Sequence, residues 1–94
     1  MNYTNEDLAF IMITMGDNPW PSERVMEIYR NGGSFVEFAQ NHGGRRAYLR
    51  NIEHVKNYLI CTRNSGYTII PITSNHYPKK LKEIKNPLPI IISW

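Results

Sequence analysis

The sequence predicts a mainly helical α+β fold, with about four N-terminal helices followed by a strand, a short helix and a second strand. Three observations carry this prediction. Apolar residues up to position 64 recur at helical spacing, and cap and stop residues punctuate them. Residues 68–73 and 88–93 then switch to β-branched apolar runs flanking a brief crossover. The 94-residue chain divides accordingly. Residues 1–64 form a helical bundle, and residues 65–94 form a strand–helix–strand extension packed on it as a single compact unit.

Thr4 can cap the first helix, with Asp7 where a capping-box acid would sit. Leu8, Phe10, Ile11, Met12, Ile13 and Met15 make that helix apolar almost all round, which predicts the most buried helix of the bundle. Gly16 ends it, and Asp17-Asn18-Pro19 supplies turn chemistry. Pro21 suits the first turn of a second helix with Val25, Met26, Ile28 and Tyr29 inward. Asn31-Gly32-Gly33 stops it. Ser34 and Glu37 form a capping box for a short third helix, closed by His42-Gly43-Gly44.

The fourth helix runs from about Arg45 to Asn64. Tyr48, Ile52, Val55 and Leu59 form its inner face, and Arg45, Lys56 and Arg63 lie nearly on one line along it. Gly66 releases the chain into the strand region. Pro71 inside the first apolar run argues for an edge strand or a break. A short helix from Pro78 to about Ile84 and a rigid turn at 86–89 lead to the last strand.

Composition bounds the function. The single cysteine, Cys61, excludes an internal disulfide and a cysteine-based metal site, and it points to a reducing compartment. No apolar run approaches the roughly 18 residues of a membrane helix, and the start carries acids where a secretory signal needs basic residues. A cytoplasmic protein without a membrane segment is the expectation. The net charge of +3 hides an asymmetry. Residues 1–41 hold two basic residues against six acids, and residues 42–94 hold nine against two. A basic half points to polyanions or an acidic partner, unless the two halves attract each other in the fold.

No catalytic constellation is visible, and no cofactor is expected. His42, His54 and His76 lack metal spacing, no phosphate loop is present, and the glycine pairs are better read as helix stops. Cys61 reads as a small core or boundary residue, and His54 as a surface or boundary one. The basic residues are the functional lead. Gly43-Gly44-Arg45-Arg46 sets backbone amides and two guanidinium groups at a helix start, which suits a phosphate; the alternative is that the arginines pair with acids of the first half. The candidate nucleic-acid contacts are Arg45, Arg46, Arg50, Lys56 and Arg63 on the helix, and Lys79, Lys80, Lys82 and Lys85 beside Tyr77. A lysine cluster of this kind is commonly only solvated, and lysines also discourage strand-edge pairing. Trp20 and Tyr3 offer stacking faces, although an aromatic between two prolines is more often a packing peg.

The last 30 residues carry a family resemblance. Gly66-Tyr67-Thr68-Ile69-Ile70, then Tyr77-Pro78-Lys79-Lys80-Leu81-Lys82-Glu83-Ile84, then Asn86-Pro87-Leu88-Pro89-Ile90-Ile91 resemble the DNA-processing protein A (DprA/Smf) family. Its members show a Gly-Ile-x-Ile-Ile strand, an Asp-x-x-Tyr-Pro-x-x-Leu-x-x-Ile segment and an Asp-Pro-Pro turn. Residues 15–38 are similar, more weakly, to the family's upstream domain of SAM-like or helix-hairpin-helix type. Ser74 stands where the family's aspartate sits, and the second proline of its Pro-Pro pair is displaced.

The family's extended Rossmann domain, which carries most of its single-stranded DNA binding, has no counterpart in these residues. The resemblance implies a non-enzymatic DprA-like N-terminal module in bacterial or phage DNA processing. It would assist single-stranded DNA binding or protein contacts through the basic half. The alternative is a stand-alone small protein of a mobile element that binds and modulates a partner protein. In either case the strand from Leu88 to Trp94 is the expected place for a protein partner or self-association.

Overall fold

Thr4 opens the first helix with a complete capping box. Its hydroxyl accepts from the Asp7 amide at 3.1 Å, and the Asp7 carboxylate accepts from the Thr4 amide at 3.0 Å. The computed structural model describes residues 2–16 and 19–94. Helix α1 spans Asn5–Met15, α2 Ser22–Arg30, α3 Phe35–Asn64 and α4 Lys79–Lys82; strand β1 spans Thr68–Pro71 and β2 Ile90–Ser93. The fold is therefore α+β and mainly helical, in the predicted order. The turn expected at Asp17 and Asn18 lies outside the described residues.

α1 is buried as predicted. Leu8, Ala9, Phe10, Ile11 and Ile13 all lie in the core, joined by Val25 and Met26 of α2, by Tyr48, Ile52 and Leu59 of α3, and by Ile69 of β1. The ring edge of Phe10 meets Phe35, with centroids 4.9 Å apart. Full burial of a side chain such as Phe10 or Ile11 contributes roughly 1.5–3 kcal/mol. α1 packs against α2, α3 and β1 alike.

α3 is continuous in extent but bent. At Gly44 the backbone takes φ 79, ψ 159, a combination open almost only to glycine. The two limbs, one ahead of Gly44 and one after it, are the predicted third and fourth helices. Ser34 caps the first limb by accepting from the Glu37 amide. The second limb turns Tyr48, Ile52 and Leu59 inward. Cys61 corrects an expectation, because it is exposed. It sits about 200° around the helix from Leu59, and so faces away from α1.

β1 and β2 pair antiparallel, Thr68 opposite Ser93 and Pro71 opposite Ile90. The intervening segment is thus a return, not a parallel crossover. Both strands and α4 are shorter than the sequence suggests. Past Pro71 one more bond forms, from the Ile72 amide to the Pro89 carbonyl. The Ser74 amide then bonds back to the Pro71 carbonyl and turns the chain away. α4 buries no side chain and is four residues long, so it has little packing to extend it.

Polar side chains hold the extension to the bundle. The Tyr3 hydroxyl donates to the Ile69 carbonyl at 2.7 Å, and the Thr73 hydroxyl donates to the buried Asp7 carboxylate. The Tyr77 hydroxyl donates to the Leu88 carbonyl at 2.8 Å, closing the return on itself. Among the described residues, no helix is long and apolar enough to cross a membrane.

Candidate nucleic-acid interface

The second limb of α3 carries the larger set of predicted site residues, five against the four lysines at 79–85. With its inner face fixed by Tyr48, Ile52 and Leu59, the remaining side chains fall on two flanks. Arg46, Arg50, His54 and Tyr58 follow one another at intervals of four, a row that winds slowly around one flank. Lys56 lies about 120° around the axis from Arg50, on the same line as Arg45 and Arg63. The structure therefore separates the helical candidates into two groups, where the sequence suggested one surface.

A different concavity accompanies each flank. Arg50, His54 and Tyr58 line a groove of about 640 Å³ together with Trp20, His42 and the buried Ile11 and Ile13. Lys56 and Arg63 line a smaller hollow of about 360 Å³ together with Tyr3 and Tyr67. Arg45 and Arg46 are exposed beside the Gly44 bend. The lysine cluster belongs to neither group: Lys79, Lys80 and Lys82 form α4, and Lys85 follows it on the return. Lys82 is half-buried, with its ammonium 5.9 Å from the centroid of the Tyr77 ring.

Trp20 is fixed by two neighbours. Its ring meets Phe38 edge-on at 5.0 Å and His42 at 5.1 Å, while Phe38 and His42 stack at 4.2 Å. The His42 Nδ1 lies 2.9 Å from the Phe38 carbonyl oxygen. A carbonyl only accepts, so that nitrogen carries a proton. The peg expected of Trp20 is present, yet 37% of the residue remains exposed at the groove.

Charge distribution decides what these surfaces offer. Glu6 is turned inward, accepting from the Ser34 hydroxyl at 2.9 Å and from the Phe35 amide at 2.6 Å. Asp7 is committed to Thr4 and Thr73. The ion pairs among the described residues are Arg24–Glu27 at 3.6 Å and Lys56–Glu53 at 3.4 Å, both within one helix and both exposed. Arg45, Arg46, Arg50, Arg63, Lys79, Lys80, Lys82 and Lys85 have no acid at pairing distance among the described residues. The two halves do not neutralise each other through ion pairs there. Their cations stay available to an outside anion.

Among the described residues no cluster of three or more His, Cys, Asp or Glu side chains has metal-binding geometry. His42, His54, Asn51 and Tyr58 line the groove but are not among the contacts expected from the sequence. The four-residue spacing from Arg46 to Tyr58 was the available signal for two of them. Placing His42 and Trp20 beside that row requires the tertiary fold. No protein-family model, curated protein or solved structure matches this chain significantly.

Proposed function

We propose that this chain is a non-enzymatic module acting in DNA processing, which binds single-stranded DNA through the second limb of α3. One observation carries the reading: Arg45, Arg46 and Arg50 crowd one end of that limb with no acid partner among the described residues. Guanidinium groups bind phosphate oxygens bidentately, and unpaired ones forfeit no existing ion pair on doing so. The DNA-processing setting rests on the resemblance of residues 65–94 to the DprA/Smf family. The test is binding of a fluorescent oligothymidylate at low salt, followed by anisotropy, in wild type and in the Arg45→Ala/Arg46→Ala/Arg50→Ala variant. Wild type binds and the variant is weakened; equal binding by the two would sink the proposal.

A second reading is favoured by the edges of the sheet. β1 is closed to pairing, because Pro71 has no N–H and the Ile69 carbonyl already accepts from Tyr3. On β2, the bond from Ile72 to Pro89 fixes the register, so that Ile91 and Ser93 face β1 while the N–H and C=O groups of Ile90 and Ile92 point outward. That edge is uncharged, and Ile92 and Trp94 beside it are exposed. Antiparallel pairing of β2 with β2 of a second copy, Ile92 opposite Ile92, satisfies those groups without bringing charges together. Sedimentation equilibrium then shows a concentration-dependent dimer that Ile92→Pro abolishes. A monomer at every concentration removes this reading.

A further inference from the structure

The groove beside α3 has a chemistry that the cations alone do not explain. We infer that it is a pocket for one unstacked base of a single-stranded nucleic acid, seated against Trp20 and Tyr58 while its phosphate lies on Arg50. The inference deepens the DNA-binding proposal and rests on it.

Three properties of the groove select this ligand. Its volume of about 640 Å³ falls within the range of small-molecule sites and leaves ample room for one base. Four aromatic side chains line it: Trp20 and His42, which pack on each other, and His54 and Tyr58 of α3. Trp20 and Tyr58 remain more than a third exposed, at 37% and 44%, so each has surface left to cover. Ile11, Ile13 and Val55 add apolar surface that suits a π-face, beside the polar Arg50 and Asn51.

Charge narrows the class further. Arg50 stands at the groove with no acid partner among the described residues, and Arg46 continues the same row one turn away, about 6 Å along the axis. An apolar ligand would leave these cations unused. A duplex would keep its bases stacked and closed to the pocket. A nucleotide in a single strand uses both features at once, since aromatic stacking holds the base and guanidinium groups hold the backbone. Asn51, at the groove wall and half-buried, adds an amide whose donor and acceptor match the edge of an unpaired base.

The experiment uses the full chain carrying Trp94→Phe, which leaves Trp20 as the sole tryptophan of the two in the sequence. A labelled oligothymidylate of about 16 nucleotides is titrated while its anisotropy and the Trp20 emission are both recorded. The expected result is quenching of Trp20 that saturates together with the anisotropy, and roughly 5- to 100-fold weaker binding by Tyr58→Ala. Circular dichroism of Tyr58→Ala, superimposable on the parent, excludes misfolding as the cause; a misfolded variant is replaced by Tyr58→Leu, which keeps the bulk and removes the ring. If the DNA binds while Trp20 emission is unmoved and the Tyr58 variant binds equally well, the pocket is overturned and the DNA-binding proposal stands. If no anisotropy change occurs at low salt, both fall.

Discussion

Glu6 and Asp7 at the start of α1 and Arg46 and Arg50 on α3 are all ionisable, yet the fold uses them in opposite ways. The carboxylates are turned inward. Asp7 is buried and joins the first helix to Thr73 beyond β1, and Glu6 caps the first limb of α3 through Ser34 and Phe35. The guanidinium groups stay on the surface without acid partners among the described residues. Among the described residues, the charge asymmetry of the sequence is therefore not matched by ion pairs between the two halves. Two of the acids, Glu6 and Asp7, serve the fold, and the arginines of α3 stay exposed without an acid partner among the described residues.

If that contrast is right, the two sets of residues respond to substitution in different currencies. The largest effect on folding belongs to Asp7→Ala. It removes a helix cap and strands the Thr4 amide and the Thr73 hydroxyl. The expected loss is about 3 kcal/mol, read as a lower urea midpoint with the same slope. A midpoint unchanged within error breaks the structural half of the contrast.

Next comes the bend that presents the arginines. Gly44→Ala forces an L side chain into φ 79, ψ 159 and costs about 1–3 kcal/mol, although a Cβ there meets no atom within 4 Å. One residue earlier the chain is helical, and a Cβ at Gly43 makes only an ordinary contact with Ala47 at 3.8 Å. Gly43→Ala is therefore neutral or stabilising by up to about 1 kcal/mol. Equal effects at the two positions would contradict the bend.

A smaller effect is expected from pH. Burial raises the Tyr3, Tyr48 and Tyr77 hydroxyls above the ordinary value of 10.0, and nearby negative charge adds to it at Tyr3 (Asp7) and Tyr48 (Glu6). A raised pKa means that the folded state holds the proton more tightly than the unfolded chain. Stability from this source is complete below the unfolded value and falls as pH rises through the folded ones. Thermal melts recorded on both sides of pH 10 then show a falling Tm on the alkaline side, and Tyr3→Phe lessens the fall.

Local chemistry made much of this fold legible. Thr4 with Asp7, Gly16, and Ser34 with Glu37 each announced a helix end, and the spacing of Tyr48, Ile52, Val55 and Leu59 announced a buried face. What failed was whatever depends on a distant partner. Asp7 and Thr73 are 66 positions apart, and Glu6 and Ser34 are 28 apart, so nothing near either acid marks it as internal. Cys61 was misplaced for a related reason. Small apolar residues suit a core, but only the tertiary fold says which side of α3 is covered. The arginines were legible as charge, whereas their division between two flanks follows from helix geometry once the buried face is known. The groove facing Arg50 was illegible, because Trp20 and His42 reach it from other parts of the chain.

The central claim is that α3 offers unpaired cations to a nucleic acid, and its salt dependence tests that most directly. Oligothymidylate affinity is measured from about 50 to 200 mM salt for wild type and for the Arg45→Ala/Arg46→Ala/Arg50→Ala variant. Each phosphate contact on a single strand adds about 0.7 to the slope of log affinity against log salt, so losing three lowers it by about 2. The substitutions are on the surface, and each shifts stability by no more than about 0.5 kcal/mol. The account predicts a folded variant with weaker binding and a flatter slope. A folded variant with the slope of wild type would contradict it.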